Sequence, residues 1–262
     1  MNSLGTNFSH GVNFATVSST TRPQNQSFAI SGFSPFSLDI QFSQFMQFKS
    51  RSQLIAKQGF LQNLTEVEIK AIIRDGFGML ASSIKSLYDG GGRFFWVHNT
   101  LPFGCLPYML VVVPPTADQT DSIGCSIPLN KMAEYFNSEL NKTVVRLRNE
   151  LPLAVLTYVY IYSAKYKLIS QAAKYGFEHP LNACCGYGGG KYNFNISIRC
   201  DIPVVVNGTL ITVKSCQDPS TRITFDGIHF TDAANKWLFD HIKTGAYSDP
   251  PLSLGEACCK HA

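Results

Sequence analysis

The chain has 262 residues, 45% of them hydrophobic, which is enough to bury a real core as one large domain or two small ones and excludes a disordered chain. Charged residues make up only 15%, against roughly a quarter in an average soluble protein, and the formal charge of +4 comes from Lys and Arg scattered singly, so no basic stripe points to nucleic acid. A membrane span is excluded too, because the longest uncharged stretch, Phe94 to Ala117, is broken by His98, Asn99, Pro102, Pro107, Pro114 and Pro115.

Residues 1 to 64 are rich in Ser, Phe, Asn and Gln and lack a sustained period, except in FSLDIQFSQFMQFKSRS, where Leu38, Phe42, Phe45, Met46 and Phe48 permit an amphipathic helix. Thr65 followed by Glu68 forms a capping box: the hydroxyl accepts the N3 amide while the carboxylate reaches back to the Thr65 amide. Behind it Ile69, Ile72, Ile73, Phe77, Leu80, Ile84 and Leu87 recur at helical spacing until Gly90, Gly91 and Gly92 stop the run. RFFWVHN, apolar and aromatic, predicts a buried strand ending at Asn99.

The pattern then repeats. A loop through Cys105 and Cys125 leads to a helix from about Leu129 to Leu151 with Met132, Phe136, Leu140, Val144 and Leu147 on one face, and then to the strand VLTYVYIYS. A helix from about Ala164 to Tyr175, a Gly- and Cys-rich excursion from Gly176 to Cys216, a short strand at Arg222 to Phe225 and a helix from Thr231 to Lys243 follow. Such alternation implies βαβ units on a mostly parallel sheet covered on both faces, with chemistry placed just after the strand ends.

Eight cysteines show no zinc-ligand spacing, which favours disulfides; Cys105 with Cys125, and Cys184 or Cys185 with Cys200 or Cys216, would close short loops. Six N-x-S/T sequons, at Asn7, Asn25, Asn63, Asn141, Asn195 and Asn207, point to a secretory-pathway ancestry, whereas MNSLGTNFSHGVNF has neither the basic nor the apolar region of a signal peptide.

In ITFDGIHFTDAANKWLF, Asp226 and His229 stand in a turn ahead of the last helix. A carboxylate three residues before an imidazole can accept its Nδ1 proton and leave Nε2 free to take a proton from a hydroxyl nucleophile. The competing reading makes Asp226 a cap on the helix approach and His229 a turn residue. GYGGGKY, Gly186 to Tyr192, looks like a phosphate-cradling loop but lacks the flanking strand and helix, which favours a surface loop. His98 lies just past a strand end and is expected to be structural, as Asn99 is expected to fix a loop.

The segments HGVNFATVSSTTRPQN, GFSPFSLDIQFSQF, FFWVHNTLPFGCLPYML, YGFEHPLNACCGYGGGKYNFN and DGIHFTDAANKWLFDHI resemble a plant GDSL esterase/lipase of the SGNH hydrolase superfamily, in the early-nodulin-like and acetylesterase-like branch. The resemblance implies a three-layer α/β/α flavodoxin-like fold over residues 1–262 as one domain, and hydrolysis of small-molecule, lipid or sugar esters with neither metal nor cofactor. It also implies lipid degradation, secretion and N-glycans. It places the orienting acid at Asp226 and the base at His229.

Three departures shape the expectation. No G-D-S nucleophile motif occurs among the residues, so the first strand and its serine are expected to be missing from the N-terminal side. SRSQLIAKQGFLQNLTE passes directly to the next helix, as if the strand and turn carrying G-x-N-D, whose Asn helps bind the oxyanion, had been excised around Ile55 to Gly59. Val17, Ser18 and Ser19 replace the family's A-G-S, leaving Ser18 where an oxyanion-hole glycine belongs. An incomplete sheet and an inactive chain are therefore expected, with a noncatalytic ester- or carbohydrate-binding remnant or a mis-spliced product as the alternatives.

Overall fold

The structure is a computed structural model that describes residues 65–258; the amphipathic helix expected within FSLDIQFSQFMQFKSRS, Ser18, and the expected excision around Ile55 to Gly59 all lie outside those residues. The chain divides into two compact units, one formed by residues up to Gly92 together with Asn149–Pro152, the other by Arg93–Arg148 and the chain from Leu153 onward.

In the first unit the described part is dominated by one helix, α1 (Glu66–Asp89). Thr65 and Glu68 make the capping box that the sequence predicts, with the Thr65 amide donating to the Glu68 carboxylate at 2.7 Å and the Glu68 amide donating to Thr65 Oγ1 at 3.3 Å. Ile73, Phe77, Ala81 and Ile84 form its buried stripe. The helix ends where Gly90 and Gly92 donate to the carbonyls of Ser86 and Leu87.

The second unit carries the sheet. β1 (Phe94–His98) is followed by the short helix α2 (Pro107–Val112) and the long helix α3 (Ile127–Glu150), whose last two residues belong to the first unit. Next come β2 (Val155–Val159) and α4 (Ile161–Ser170), then the hairpin β3 (Val204–Val206) and β4 (Thr209–Ile211). α5 (Asp232–Ile242), β5 (Ser248–Asp249) and α6 (Leu254–Cys258) complete the described chain. β1 and β2 pair in parallel with Phe94 opposite Val155 and His98 opposite Val159, and the two residues of β5 add antiparallel to the other edge of β2. This is the α/β class the alternation implies, without a closed barrel.

The alternation of side chains along β2 separates two layers. On one face Tyr158 is buried and its hydroxyl donates to the carbonyl of Asn137 on α3 at 3.0 Å. On the other face Val159 packs with Ile161 and Ala164 of α4 and with Leu238 and Ile242 of α5, and Trp96 and Tyr247 close that cluster. Arg148 of α3 fastens the free end of the sheet: its Nε donates to the Leu156 carbonyl at 3.0 Å, one terminal nitrogen donates to the Asp249 carboxylate at 2.7 Å, and the other donates to the Asp249 carbonyl.

Four sequence expectations are corrected. β1, expected to be buried, has both end residues exposed and its middle three only partly covered, and β2 stops at Val159, because Ile161–Ser163, expected to continue the strand, form the start of α4. In the first half of α3 the buried face is rotated from the expected one, while Leu140, Val144 and Leu147 are buried as expected. Asn130, Ala133, Asn137, Leu140, Val144 and Leu147 are buried, while Met132 and Phe136 are only partly so. The two carboxamides are satisfied: Asn130 Oδ1 accepts the Gly104 amide at 2.9 Å, and Asn137 accepts from the Thr100 amide and donates to its carbonyl. Arg222–Phe225 is not a strand of the sheet. Its backbone instead receives the amides of Cys184 and Cys185 at the carbonyls of Thr224 and Phe225, and it folds back on itself through Phe225 N–H to the His229 carbonyl and Thr231 N–H to the Ile223 carbonyl.

The Gly- and Cys-rich excursion is held by Cys184–Cys216 and Cys185–Cys200, and the loop before α3 by Cys105–Cys125, which settles the pairing that spacing leaves open. Its hairpin turns at Asn207–Gly208, with φ of 48° and 78°, the two positive-φ positions a tight hairpin turn requires.

Candidate active site

The segment Asp226–His229 forms a closed loop rather than a simple strand end. Asp226 Oδ1 accepts the backbone amides of Ile228 and His229 at 3.0 and 2.8 Å, so the carboxylate builds the turn that carries the imidazole. Its other oxygen lies 2.7 Å from His229 Nδ1. The cap reading and the catalytic reading thus describe the same geometry, because each oxygen of one carboxylate does one job.

The surroundings fix that loop. Gly227 sits at φ 92°, and a side chain there would collide with the Phe194 ring, its first atom only 2.4 Å from Phe194 Cδ2. The Gly227 carbonyl accepts the amide of Tyr108 at the start of α2, and the Tyr108 ring meets Phe194 edge-on at 5.8 Å. Downstream, Thr231 caps α5 by accepting the Ala234 amide at 3.2 Å while its hydroxyl donates to the Arg222 carbonyl at 2.5 Å.

Burial pushes the Asp226 carboxyl up, but the hydrogen bonds from His229 backbone and side chain and from the Ile228 amide outweigh it, so the net shift is downward and the group is a carboxylate. A carboxylate only accepts, so Nδ1 of His229 carries the proton and Nε2 presents a lone pair. The His229 side chain is 72% exposed, and Nε2 has no hydrogen-bond partner among the described residues. The arrangement is a base with a fixed tautomer and an open proton-accepting atom.

The helix that follows β2 reaches the end of this loop. Lys165, on the helix that leaves β2, sets its ammonium 4.0 Å from the centre of the Phe230 ring, next in sequence to His229. Burial lowers the Lys165 ammonium to about 8. His98, at the end of β1, is edge-on to Trp96 at 4.6 Å and is held below its ordinary value by loss of solvation and then by the Lys165 charge. Asn99 is buried and its Oδ1 accepts the Tyr162 amide at 2.9 Å, so it ties the exit of β1 to the first turn of α4, the loop-fixing part expected of it. Ser18 lies outside the described residues. No cluster of three or more His, Cys, Asp or Glu able to hold a metal ion occurs among the described residues.

An aspartate-oriented imidazole on a braced loop of an α/β structure is an arrangement that can serve a hydrolase acting through an activated nucleophile. The description GDSL-like Lipase/Acylhydrolase matches residues 2–242. The chain is 48% identical over 291 aligned positions to a GDSL esterase/lipase of Zea mays, covering 98% of this chain and 73% of that protein. It is 47% identical to a GDSL esterase/lipase of Arabidopsis thaliana, covering 99% and 76%, and 44% identical to an esterase of Hevea brasiliensis, covering 99% and 74%. The chain belongs to the GDSL-like lipase/acylhydrolase family, a family of carboxylic ester hydrolases. The alignment of 291 positions is longer than the 262-residue chain, so the relative carries residues within the matched region that have no counterpart here.

Proposed function

We propose that Asp226 and His229 are the orienting acid and the general base of ester hydrolysis. We further propose that the 262-residue polypeptide, with no G-D-S serine for that base to activate, does not itself turn esters over. The observation that carries the first part is the 2.7 Å contact between Asp226 Oδ2 and His229 Nδ1, which leaves Nε2 open to solvent. In the full reaction Nε2 would take the proton of a serine hydroxyl as that oxygen attacks the ester carbonyl, and would return it to the leaving alkoxide. Asp226 would stabilise the imidazolium formed in between.

Two facts support the second part. No G-D-S motif exists in the sequence, and the relatives hold residues inside the matched region that this chain does not. We assign that internal difference to the strand and G-x-N-D turn expected to be excised around Ile55 to Gly59. Loss of one oxyanion donor costs about 100- to 1,000-fold and loss of the nucleophile several orders more, so the remaining rate is that of an unassisted base.

Residues 1–262 are taken as one hydrolase domain, and the three disulfides favour an oxidising, extracellular setting in which N-glycans are also attached. The substrates of the intact reaction would be small-molecule, lipid or sugar esters.

Turnover of p-nitrophenyl acetate by the chain and by His229→Ala tests the proposal. Equal, near-background rates are expected; a rate that falls at least about tenfold on substitution would show a working hydrolase.

A further inference from the structure

Among the described lysines, Lys165 stands apart by its surroundings. Six of the others each hold a carboxylate, and Lys131, Lys167, Lys174 and Lys191 are exposed. Lys165 is half-buried on α4 and makes no ion pair or side-chain hydrogen bond with any described residue. What its ammonium meets instead is the face of the Phe230 ring, 4.0 Å from the ring centre, and Phe230 is itself buried.

The acids engaged by the same loop and helix are committed elsewhere. Asp226, four residues before Phe230, serves His229 and two backbone amides. Glu134 and Asp121 accept the hydroxyls of Tyr162 and Tyr166, the tyrosines of α4 on either side of Lys165. His98, at the end of β1, senses the Lys165 charge and is held below its ordinary value by loss of solvation and then by that charge, so it supplies no counter-ion either.

A ring face returns only part of the solvation that an ammonium loses on burial, so an unpaired lysine in this position favours the neutral amine. Lys165 accordingly titrates at about 8, with burial as the cause. An ammonium has no lone pair to offer, whereas a desolvated amine does, and this is how a lysine becomes a nucleophile near neutral pH.

We propose that Lys165 is an acyl-acceptor site whose amine captures activated acyl donors, esters or thioesters of acidic leaving groups, as a stable amide. The nitrogen adds to the carbonyl carbon, the bond from that carbon to the leaving oxygen or sulfur breaks with its electron pair, and the proton of the nitrogen passes to solvent. No electron is gained or lost overall. Because the amide is not cleaved again, each chain reacts once. The half-buried position restricts the donor to a small acyl group such as acetyl. This chemistry goes beyond the ester hydrolysis proposed for Asp226 and His229 and requires neither residue.

Acetylation of the full chain with limiting N-hydroxysuccinimidyl acetate, followed by peptide mass mapping, tests it, with exposed Lys131 as the internal reference. At about pH 7.5 Lys165 should be acetylated about tenfold faster than Lys131, since its larger amine fraction is only partly offset by the weaker nucleophilicity of a less basic amine. The Lys165 rate should level off above about pH 8 while that of Lys131 keeps rising, and the preference should vanish in urea. Acetylation of Lys165 no faster than that of Lys131, or a preference that survives unfolding, would overturn the proposal. His229→Ala should leave the Lys165 adduct unchanged; an adduct that needs His229 would contradict the independence of the two sites. A serine adduct would bear on the hydrolase reading alone, so mapping the modified residue separates the two.

Discussion

Asp226 shows how one short side chain can both fold a loop and arm it. Its depressed pKa means that the ionised form is favoured in the native chain. That contribution to stability is present above the ordinary carboxyl value and is lost as pH falls through the lower folded value. Lys165 behaves in the opposite sense. Its ammonium titrates at about 8 in the fold against an ordinary 10.5, so between those values the unfolded chain holds a proton that the folded chain has released. Stability therefore gains from this residue as pH rises from about 8 toward 10.5, and Lys165→Met should remove that gain while stabilising the protein at neutral pH. Urea denaturation at several pH values across the window measures both; an unchanged slope in the variant would contradict the assignment. The Asp226–His229 pair was legible from the sequence because its two members are three residues apart and the contact is local. Lys165 was not, since nothing in IYSAKYKLIS shows that its ammonium will meet Phe230, 65 residues further along.

At the level of elements, period and cap residues found α1, β1, α3, β2 and α5, but β1 is not buried as expected and the expected end of β2, Ile161–Ser163, is the start of α4. What period misjudged was which face of the first half of α3 is buried, Leu140, Val144 and Leu147 being buried as expected. Apolar Met132 and Phe136 are less buried than the polar Asn130 and Asn137, because the loop after β1 offers backbone groups that the two carboxamides satisfy. The hairpin at Asn207–Gly208 was legible in principle, as Asn-Gly between VVV and TLI is a hairpin signal, but the surrounding Gly- and Cys-rich composition concealed it. The expected strand at Arg222–Phe225 failed for a nonlocal reason: its hydrogen bonds go to Cys184 and Cys185, brought there by disulfides. Two-residue β5 left no periodic trace and is held by Arg148. Arg148→Ala removes charge-assisted hydrogen bonds to Asp249 and should destabilise the chain by about 1.5–3 kcal/mol, read as a lower denaturation midpoint with unchanged cooperativity. A loss under about 0.5 kcal/mol would mean that β5 needs no such anchor.

At the scale of the molecule, β1 has strand partners on one side only among the described residues, and Phe94 on it is 42% exposed, which together make a template for pairing with another chain. Concentration-dependent association in light scattering is expected, with a broad thermal transition, and Phe94→Lys should reduce the association. A sharp, concentration-independent unfolding transition of a monomer would contradict this. The proposed inactivity belongs to the same scale, since a base with no hydroxyl to deprotonate can be correctly built and still idle. Treatment of the purified 262-residue chain with a fluorophosphonate, followed by peptide mass mapping, asks the question most directly. The account predicts no serine adduct with or without His229, whereas a covalent phosphonyl-serine whose formation depends on His229 would contradict it.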